Sequence, residues 1–216
     1  METKNKLIIG ITGGIGSGKT TFANLLEKKS CKVIYSDVLA KKVINESKRI
    51  QFKLMEKFGM HTFVNGEYNS EYIAFLVFSD KSRLHTLNQI VIPPVIDEII
   101  KEIEAIDDSY RLVFVESALI YELELEKGFD YVISVSAKIE NRKQRISEHF
   151  EKRMKSQLTQ EEKNSLADFV IENNKDIPEL EKAADSIIKI LELLPNRVYE
   201  DEEEDFTDET DETNDY

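Results

Sequence analysis

The sequence predicts an α/β fold in which a parallel five-stranded sheet is flanked by helices. Short segments that are apolar throughout alternate along the chain with segments of helical periodicity, and a glycine-rich turn joins the first pair. Such strands are typical of parallel sheets that helices cover on both faces. The helical stretch between the second and third strands is too long for a simple crossover, so we expect a helical subdomain beside the sheet.

The first half of the chain contains two predicted strands and most of the predicted helices. Residues 6–12 form an apolar segment that leads into the glycine-rich turn, and residues 19–29 have apolar side chains at helical spacing. A second apolar segment, 32–35, precedes a helical stretch that ends at Ile44. The Asn65-Gly66 pair indicates a turn. Periodic patterns predict three further helices over 47–58, 71–78 and 81–106, the last bent at Pro93 and Pro94.

The second half of the chain completes the sheet. Segments 112–115, 131–135 and 169–171 predict the remaining strands, residues 140–156 form a basic helical stretch, and 178–194 predict a final helix with Pro178 in its first turn. We therefore expect one domain over residues 1–199, followed by an acidic disordered tail. Its predicted parts are a core (6–37, 111–136 and 166–195), a helical subdomain (38–110) and a lid (138–160).

Composition limits the classes of partner and the cellular location. The 216 residues have a net charge of −13, but eleven acidic residues and no Lys or Arg lie in 200–216, so the rest of the chain is nearly neutral. The acidic tail argues against a nucleic-acid partner. The single cysteine, Cys31, excludes an internal disulfide, and no apolar segment is long enough to cross a membrane. We expect a cytoplasmic protein without a membrane partner, and the oligomeric state stays open.

The glycine-rich turn matches the phosphate-loop pattern G-x-x-x-x-G-K-[ST] in full. The matching residues are Gly13, Gly14, Ile15, Gly16, Ser17, Gly18, Lys19 and Thr20. Glycines allow successive backbone N–H groups to surround a phosphate, and the following helix N-terminus adds partial positive charge. In this pattern Lys19 reaches the β- and γ-phosphates of ATP and Thr20 ligates Mg²⁺. The alternative interpretation is a strand–helix turn with an incidental lysine. A Rossmann fold is excluded, because its G-x-G-x-x-G pattern is absent from the sequence.

The remaining motifs select a small kinase among phosphate-loop proteins. No glycine follows an Asp at the D-x-x-G spacing, and the segment that begins at Asn174 misses N-K-x-D at Ile177, which excludes a typical GTPase. A motor ATPase would be longer and would have a strand followed by Asp, whereas strand 112–115 is followed by Glu116. We therefore expect a kinase whose second substrate supplies the nucleophile.

Such a kinase needs a carboxylate near the acceptor hydroxyl, cations near the transferred phosphoryl group and a lid that excludes water. Asp37 follows the second strand, at the carboxyl edge where parallel sheets bind ligands, although it could instead cap the following helix. The candidate lid cations, any of which could instead be solvated, are Arg142, Lys143, Arg145, Lys152, Arg153 and Lys155.

Residues 10–21 (GITGGIGSGKTT) resemble the phosphate-loop signature of the dephospho-coenzyme A kinase family. Four later segments resemble further motifs of that family, in the same order: 36–41 (SDVLAK), 87–93 (LNQIVIP), 116–122 (ESALIYE) and 167–173 (ADFVIEN). The resemblance implies a phosphate-loop kinase fold with a lid. It also implies that ATP, with Mg²⁺, phosphorylates the ribose 3′-hydroxyl of dephospho-coenzyme A, the last step of coenzyme A synthesis.

The resemblance also assigns candidate roles to residues. It implies that Asp37 is the carboxylate at the 3′-hydroxyl and that residues 16–21 hold ATP. Together with the phosphate-loop pattern and the basic lid segment, this makes Asp37, Lys19 and Arg145 the candidate catalytic residues and residues 13–20 with Thr21 the candidate ATP-binding residues. The candidate substrate-binding residues are Asp37, Lys41, Arg83, Glu116 and Glu122, and the candidate metal ligand is Thr20.

The chain departs from the family pattern outside the ATP-binding motif. Tyr35 and Lys41 replace an Asp and an Arg of the second motif, and Ile92 stands where the family has a His before Pro93. The lid segment is shorter than usual, with His149 near the position of an expected Arg. Two alternatives therefore stay open: a nucleotide-binding relative with weakened catalysis, and a kinase for another small hydroxyl substrate such as a nucleoside.

Overall fold

The computed structural model describes residues 6–78, 80–145, 154 and 157–197. The acidic tail, 200–216, lies outside the described residues, so its expected disorder stays a prediction. Residues 146–153, 155 and 156 of the expected lid also lie outside the described residues. Three of the candidate lid cations, Lys152, Arg153 and Lys155, are among these residues.

Five parallel strands form the central sheet, which confirms the predicted fold class. The strands of this sheet are β1 (Leu7–Thr12), β2 (Lys32–Tyr35), β5 (Leu112–Glu116), β6 (Tyr131–Ser136) and β7 (Phe169–Glu172). Their order across the sheet is β2-β5-β1-β6-β7, with all neighbours parallel. A separate antiparallel pair, β3 (Phe63–Val64) and β4 (Glu67–Tyr68), surrounds the predicted turn at Asn65 and Gly66, which both have positive φ angles.

The register of the sheet brings three strand ends together. Glu116, the last residue of β5, is paired with Ile11 of β1 on one side and with Tyr35 of β2 on the other. The central strands β1 and β5 are buried along their whole length, so their apolar pattern has no solvent face. The polar residues that follow these strands are consequently gathered at one edge of the sheet.

Two helices cover one face of the sheet. They are α1 (Lys19–Lys28) and α8 (Ile177–Leu193). Phe22 and Leu26 on α1 and Leu180 and Ile187 on α8 are buried in one apolar cluster with the sheet, at the helical spacing that the sequence shows. Asp176 caps the last helix and Pro178 lies in its first turn, as predicted.

Four helices form a second apolar cluster, in the part of the chain expected to be the helical subdomain. They are α2 (Ser36–Glu46), α3 (Lys48–Phe58), α4 (Ser70–Val77) and α5 (Lys81–Ala105). Leu54 and Val95 are buried in this cluster. Ile99 of α5 packs against both this cluster and the one around Val113 of β5, so the long helix connects the four-helix cluster to the sheet. The helix α5 continues through Pro93 and Pro94.

Two short helices lie at the two ends of the expected lid, 138–160. The first, α6 (Ile139–Arg145), falls in the basic stretch that the sequence predicts to be helical over 140–156. The second, α7 (Gln160–Leu166), was not predicted, although its Thr159–Glu162 capping box is visible in the sequence as T-x-x-E. Within the described part of the chain, no helix has the length and apolar character that a membrane span requires.

Candidate active site

The phosphate loop connects β1 to α1 in a conformation that requires glycine at residues 13, 16 and 18, which all have positive φ angles. Gly13 has φ +144°, and a Cβ there would overlap the carbonyl oxygen of Val135. Gly18 has φ +96° at the N-cap of α1, and a Cβ there would overlap the side-chain amide of Asn173. An L side chain at either position would be strained and would also meet neighbouring atoms.

Side chains from distant parts of the chain hold the carbonyl groups of this loop. Arg142 Nε donates to the Ile15 carbonyl at 2.8 Å, and Asn173 Nδ2 donates to the Ser17 carbonyl at 2.9 Å. Arg145 Nη1 donates to the carbonyls of residues 16 and 17 at 3.2 Å each. Among the described residues, no acceptor receives the N–H groups of residues 16, 18 or 19. The loop is therefore fixed through its carbonyls and keeps donors available for an anion.

Lys19, the first residue of α1, folds back over the phosphate loop. Its Nζ donates to the carbonyls of Gly13 at 3.1 Å and Gly14 at 3.4 Å. Burial lowers the pKa of Lys19 to about 8, and the neighbouring Glu116 carboxylate offsets part of this effect. A phosphate beside the ammonium group would favour its charged form.

Two carboxylates lie close enough to Lys19 to act on it electrostatically. Glu116 is buried at the end of β5, and Asp37 is exposed in the first turn of α2. Burial raises the pKa of Glu116, Lys19 opposes this rise, and Asp37 adds to it. The structure thus brings together a cation and two carboxylates that the sequence placed after three different strands.

The helix-cap alternative for Asp37 is wrong. The N-cap of α2 is Tyr35, and Asp37 is the second residue of the helix. No N–H or side-chain donor among the described residues bonds to the Asp37 carboxylate. Its exposed carboxylate accepts no hydrogen bond from the part of the chain that the structure describes, so its oxygens are available to a ligand.

The other expected substrate-binding residues differ in their surroundings. Lys41 is exposed one turn after Asp37 on α2. Arg83 is exposed in the first turn of α5 and pairs with Asp80 at 3.4 Å, and no contact joins it to the phosphate loop within the described chain. Their contact with a substrate stays a prediction.

Glu122, which was also expected to bind substrate, is engaged by protein groups. Its Oε1 accepts hydrogen bonds from the Leu158 N–H at 2.9 Å and from Lys163 Nζ at 2.8 Å. Lys163 is fully buried, and its Nζ also donates to the Ala118 carbonyl at 2.5 Å. The pair therefore connects α7 to the segment after β5.

Sequence reasoning missed several residues that shape this site. Gln160 and Lys163 both lie on the polar helix α7. Gln160 accepts a hydrogen bond from the phosphate loop, and Lys163 donates one to the Ala118 carbonyl after β5. Asn173 follows β7 at the same sheet edge, and its position after an apolar strand was the available signal. Nothing in the local sequence distinguishes Gln160 from an ordinary surface glutamine.

Together, the parallel sheet, the phosphate loop with Lys19 and the facing carboxylates define a phosphate-loop kinase. The family model for dephospho-CoA kinase matches residues 7–179. The dephospho-CoA kinase of Salinibacter ruber is 35% identical over 184 residues, which cover 81% of this chain and 92% of that protein. The chain belongs to the dephospho-CoA kinase family and is an enzyme of the kinase class, for which ATP is the phosphoryl donor.

A further relative agrees with this assignment, and two solved structures share the fold. The dephospho-CoA kinase of Fusobacterium nucleatum is 35% identical over 82% of this chain and 94% of its own length. A crystal structure of a Thermus thermophilus protein has a TM-score of 0.74 and 32% identity, covering 88% of this chain and all of that one. The dephospho-CoA kinase structure from Campylobacter jejuni, at a TM-score of 0.58 and 22% identity, shares the fold.

Proposed function

We propose that this chain transfers the γ-phosphoryl group of ATP to the ribose 3′-hydroxyl of dephospho-coenzyme A. One observation carries the proposal beyond family membership: Lys19, Glu116 and Asp37 interact electrostatically at the edge where β1, β2 and β5 end. A phosphoryl-transfer site needs a cation for the donor and a carboxylate for the acceptor within one small volume.

The donor side consists of residues 13–21. The N–H groups of residues 16, 18 and 19, which bond to no acceptor in the described ranges, and the Lys19 ammonium group suit the β- and γ-phosphates. The Ser17 hydroxyl is buried without a hydrogen-bond partner among the described residues, so it has hydrogen-bonding capacity for a polar ligand at this loop. Arg145 lies against the loop carbonyls. Its positive charge would there partly neutralise the negative charge of the transferred phosphoryl group.

The oxygen-bearing side chains at this edge fit Mg²⁺. Thr20 and Thr21 follow Lys19 with exposed hydroxyl groups, and the carboxylates of Glu116 and Asp37 raise local negative charge. Hydroxyl and carboxylate oxygens are the ligands that Mg²⁺ prefers. We propose Thr20 as a ligand, and the ion would neutralise phosphate charge when bound.

The acceptor side begins at Asp37. Its exposed carboxylate would accept the proton of the ribose hydroxyl and orient the oxygen towards the γ-phosphoryl group. Lys41, on the same helix face, and Arg83 are proposed to hold anionic groups of the substrate, since both side chains are exposed cations. The Lys163–Glu122 pair would hold the segment after β5 in place.

A panel of acceptors tests this proposal. Purified enzyme is incubated with ATP and Mg²⁺, and ADP release is followed with dephospho-coenzyme A, adenosine, pantetheine or no acceptor. We expect ADP release at least a hundredfold above background only with dephospho-coenzyme A. Faster turnover with adenosine would support a nucleoside kinase, and ATP binding without turnover on any acceptor would support a relative that has lost catalysis.

A further inference from the structure

Gln160 forms an unusual contact with the phosphate loop. Its Oε1 accepts a hydrogen bond from the Gly14 N–H at 2.9 Å, and the residue is only 4% exposed. The other loop anchors, from Arg142, Arg145 and Asn173, all donate to carbonyl groups. Within the described chain, Gln160 is the only side chain that accepts from a loop N–H.

The opposite end of the Gln160 amide is also fully engaged. Its Nε2 donates to Ser134 Oγ at 3.1 Å and to Asn164 Oδ1 at 2.8 Å. Ser134 Oγ in turn donates to Asn164 Oδ1 at 2.8 Å, and Asn164 Nδ2 donates to Ser136 Oγ at 3.1 Å. Buried networks in which every member has a partner hold their side chains in one arrangement. The position of the Gln160 acceptor is therefore set by β6 and α7.

The start of α7 is itself fixed by the chain. Thr159 Oγ1 accepts from the Glu162 N–H, and the Glu162 carboxylate accepts from the Thr159 N–H at 2.7 Å. This capping box fixes the residue that directly precedes Gln160. Gln160 is thus the first residue of a capped helix, at the end of the expected lid.

Gln160 and Arg142 pack on the outer side of Gly14. A Cβ on Gly14 would overlap the Arg142 guanidinium group and lie 3.0 Å from Gln160 Oε1. Glycine-rich segments lose much conformational freedom when they become ordered, and a loop ordered in advance binds its ligand more tightly. We propose that Gln160 is a positioning residue that orders the phosphate loop for the triphosphate of ATP. This inference rests on the proposed ATP site but not on the identity of the acceptor.

The test compares Gln160→Met, which keeps the length of the side chain but leaves the Gly14 N–H unpaired, with the exposed control Ser165→Ala on the same helix. We expect the Kd of ATP and that of inorganic tripolyphosphate to rise about tenfold in Gln160→Met, as for an unpaired buried donor. The KM for ATP rises in parallel, whereas kcat and the KM for the acceptor change less than twofold. Ser165→Ala binds both ligands as wild type does.

A second variant, Gln160→Asn, keeps the test valid if the first does not fold, because the shorter side chain cannot reach Gly14 from the same Cβ. Unchanged binding of ATP and tripolyphosphate in a folded variant overturns the inference. The inference is also overturned if less of the variant folds but the folded fraction binds ATP with the wild-type Kd, because Gln160 would then have a purely structural role. Wild-type protein that binds ATP but phosphorylates no acceptor contradicts the proposed function and leaves the role of Gln160 measurable.

Discussion

Arg142 Nε donates a 2.8 Å hydrogen bond to the Ile15 carbonyl, so the helix that begins the expected lid is attached to the phosphate loop. Arg142 is buried, and burial lowers the pKa of its guanidinium group. Because guanidinium groups stay protonated even then, the contact places a positive charge behind the loop. The loop conformation and the position of α6 are therefore linked.

Glycine at position 13 is expected to be essential for folding of the loop. Gly13→Ala would place a methyl group against the Val135 carbonyl, a backbone atom that cannot move aside cheaply. We expect the free energy of unfolding to fall by about 1–3 kcal/mol, measured by urea denaturation. Gly128→Ala is the matched control, because a Cβ there has no atom within 4 Å, and it should change stability by less than about 0.5 kcal/mol. Equal effects of both substitutions would contradict the loop geometry.

Lys19 is expected to be needed for turnover but not for folding. Lys19→Met removes the ammonium group from the phosphate site, and we expect kcat/KM to fall by roughly 10²–10³. The melting temperature should not fall, because an apolar side chain replaces a buried charge. Lys28→Met, at the exposed end of the same helix, serves as the control. A folded Lys19→Met enzyme with near-normal turnover would show that Lys19 does not act on the phosphates.

Asp37 is expected to act in the transfer step. Asp37→Asn keeps the size of the side chain but removes its charge and its basicity, so turnover should fall by roughly 10²–10⁴. Because the phosphate loop is untouched, the Kd of ATP should stay within about threefold of the wild-type value. Glu46→Gln, an exposed change on the same helix, controls for loss of a negative charge. Wild-type turnover in Asp37→Asn would rule out a catalytic role for this carboxylate.

The fold and the centre of the site were predictable because they are encoded in local patterns. The apolar segments predicted the five strands, the loop motif and the second strand end led to Lys19 and Asp37, and the family resemblance added Glu116. Parallel strands bring their carboxyl ends to one edge, so the order of elements was enough to place these residues together.

The supports of the site could not be predicted in the same way. Gly14 and Gln160 are 146 positions apart, and Ser17 and Asn173 are 156 apart, so their hydrogen bonds depend on how α7 and β7 pack rather than on local sequence. The ion pair between Glu122 and Lys163 also depends on packing, because it forms only when α7 buries the Lys163 side chain against the segment after β5. Short polar helices such as α7 carry too little apolar periodicity to be found without their caps.

Cys31 is expected to react slowly with alkylating reagents. Burial raises the pKa of the Cys31 thiol to about 11, so at pH 8 only about 0.1% is thiolate, the reactive form. We expect iodoacetamide to modify the native protein about a hundredfold more slowly than an ordinary thiol at pH 8. The rate should rise about tenfold per pH unit until the pKa is reached. Mass spectrometry measures the rate, and equally fast alkylation of native and urea-unfolded protein would contradict the raised pKa.

The proposed reaction phosphorylates one hydroxyl group, the ribose 3′-hydroxyl of dephospho-coenzyme A. The most direct measurement incubates the enzyme with ATP, Mg²⁺ and dephospho-coenzyme A and locates the new phosphate by ³¹P–¹H NMR correlation. We predict a phosphomonoester coupled to the 3′ proton of the ribose, and no product when a 3′-deoxy analogue replaces the substrate. A phosphate on another hydroxyl group, or unchanged phosphorylation of the 3′-deoxy analogue, would contradict the account.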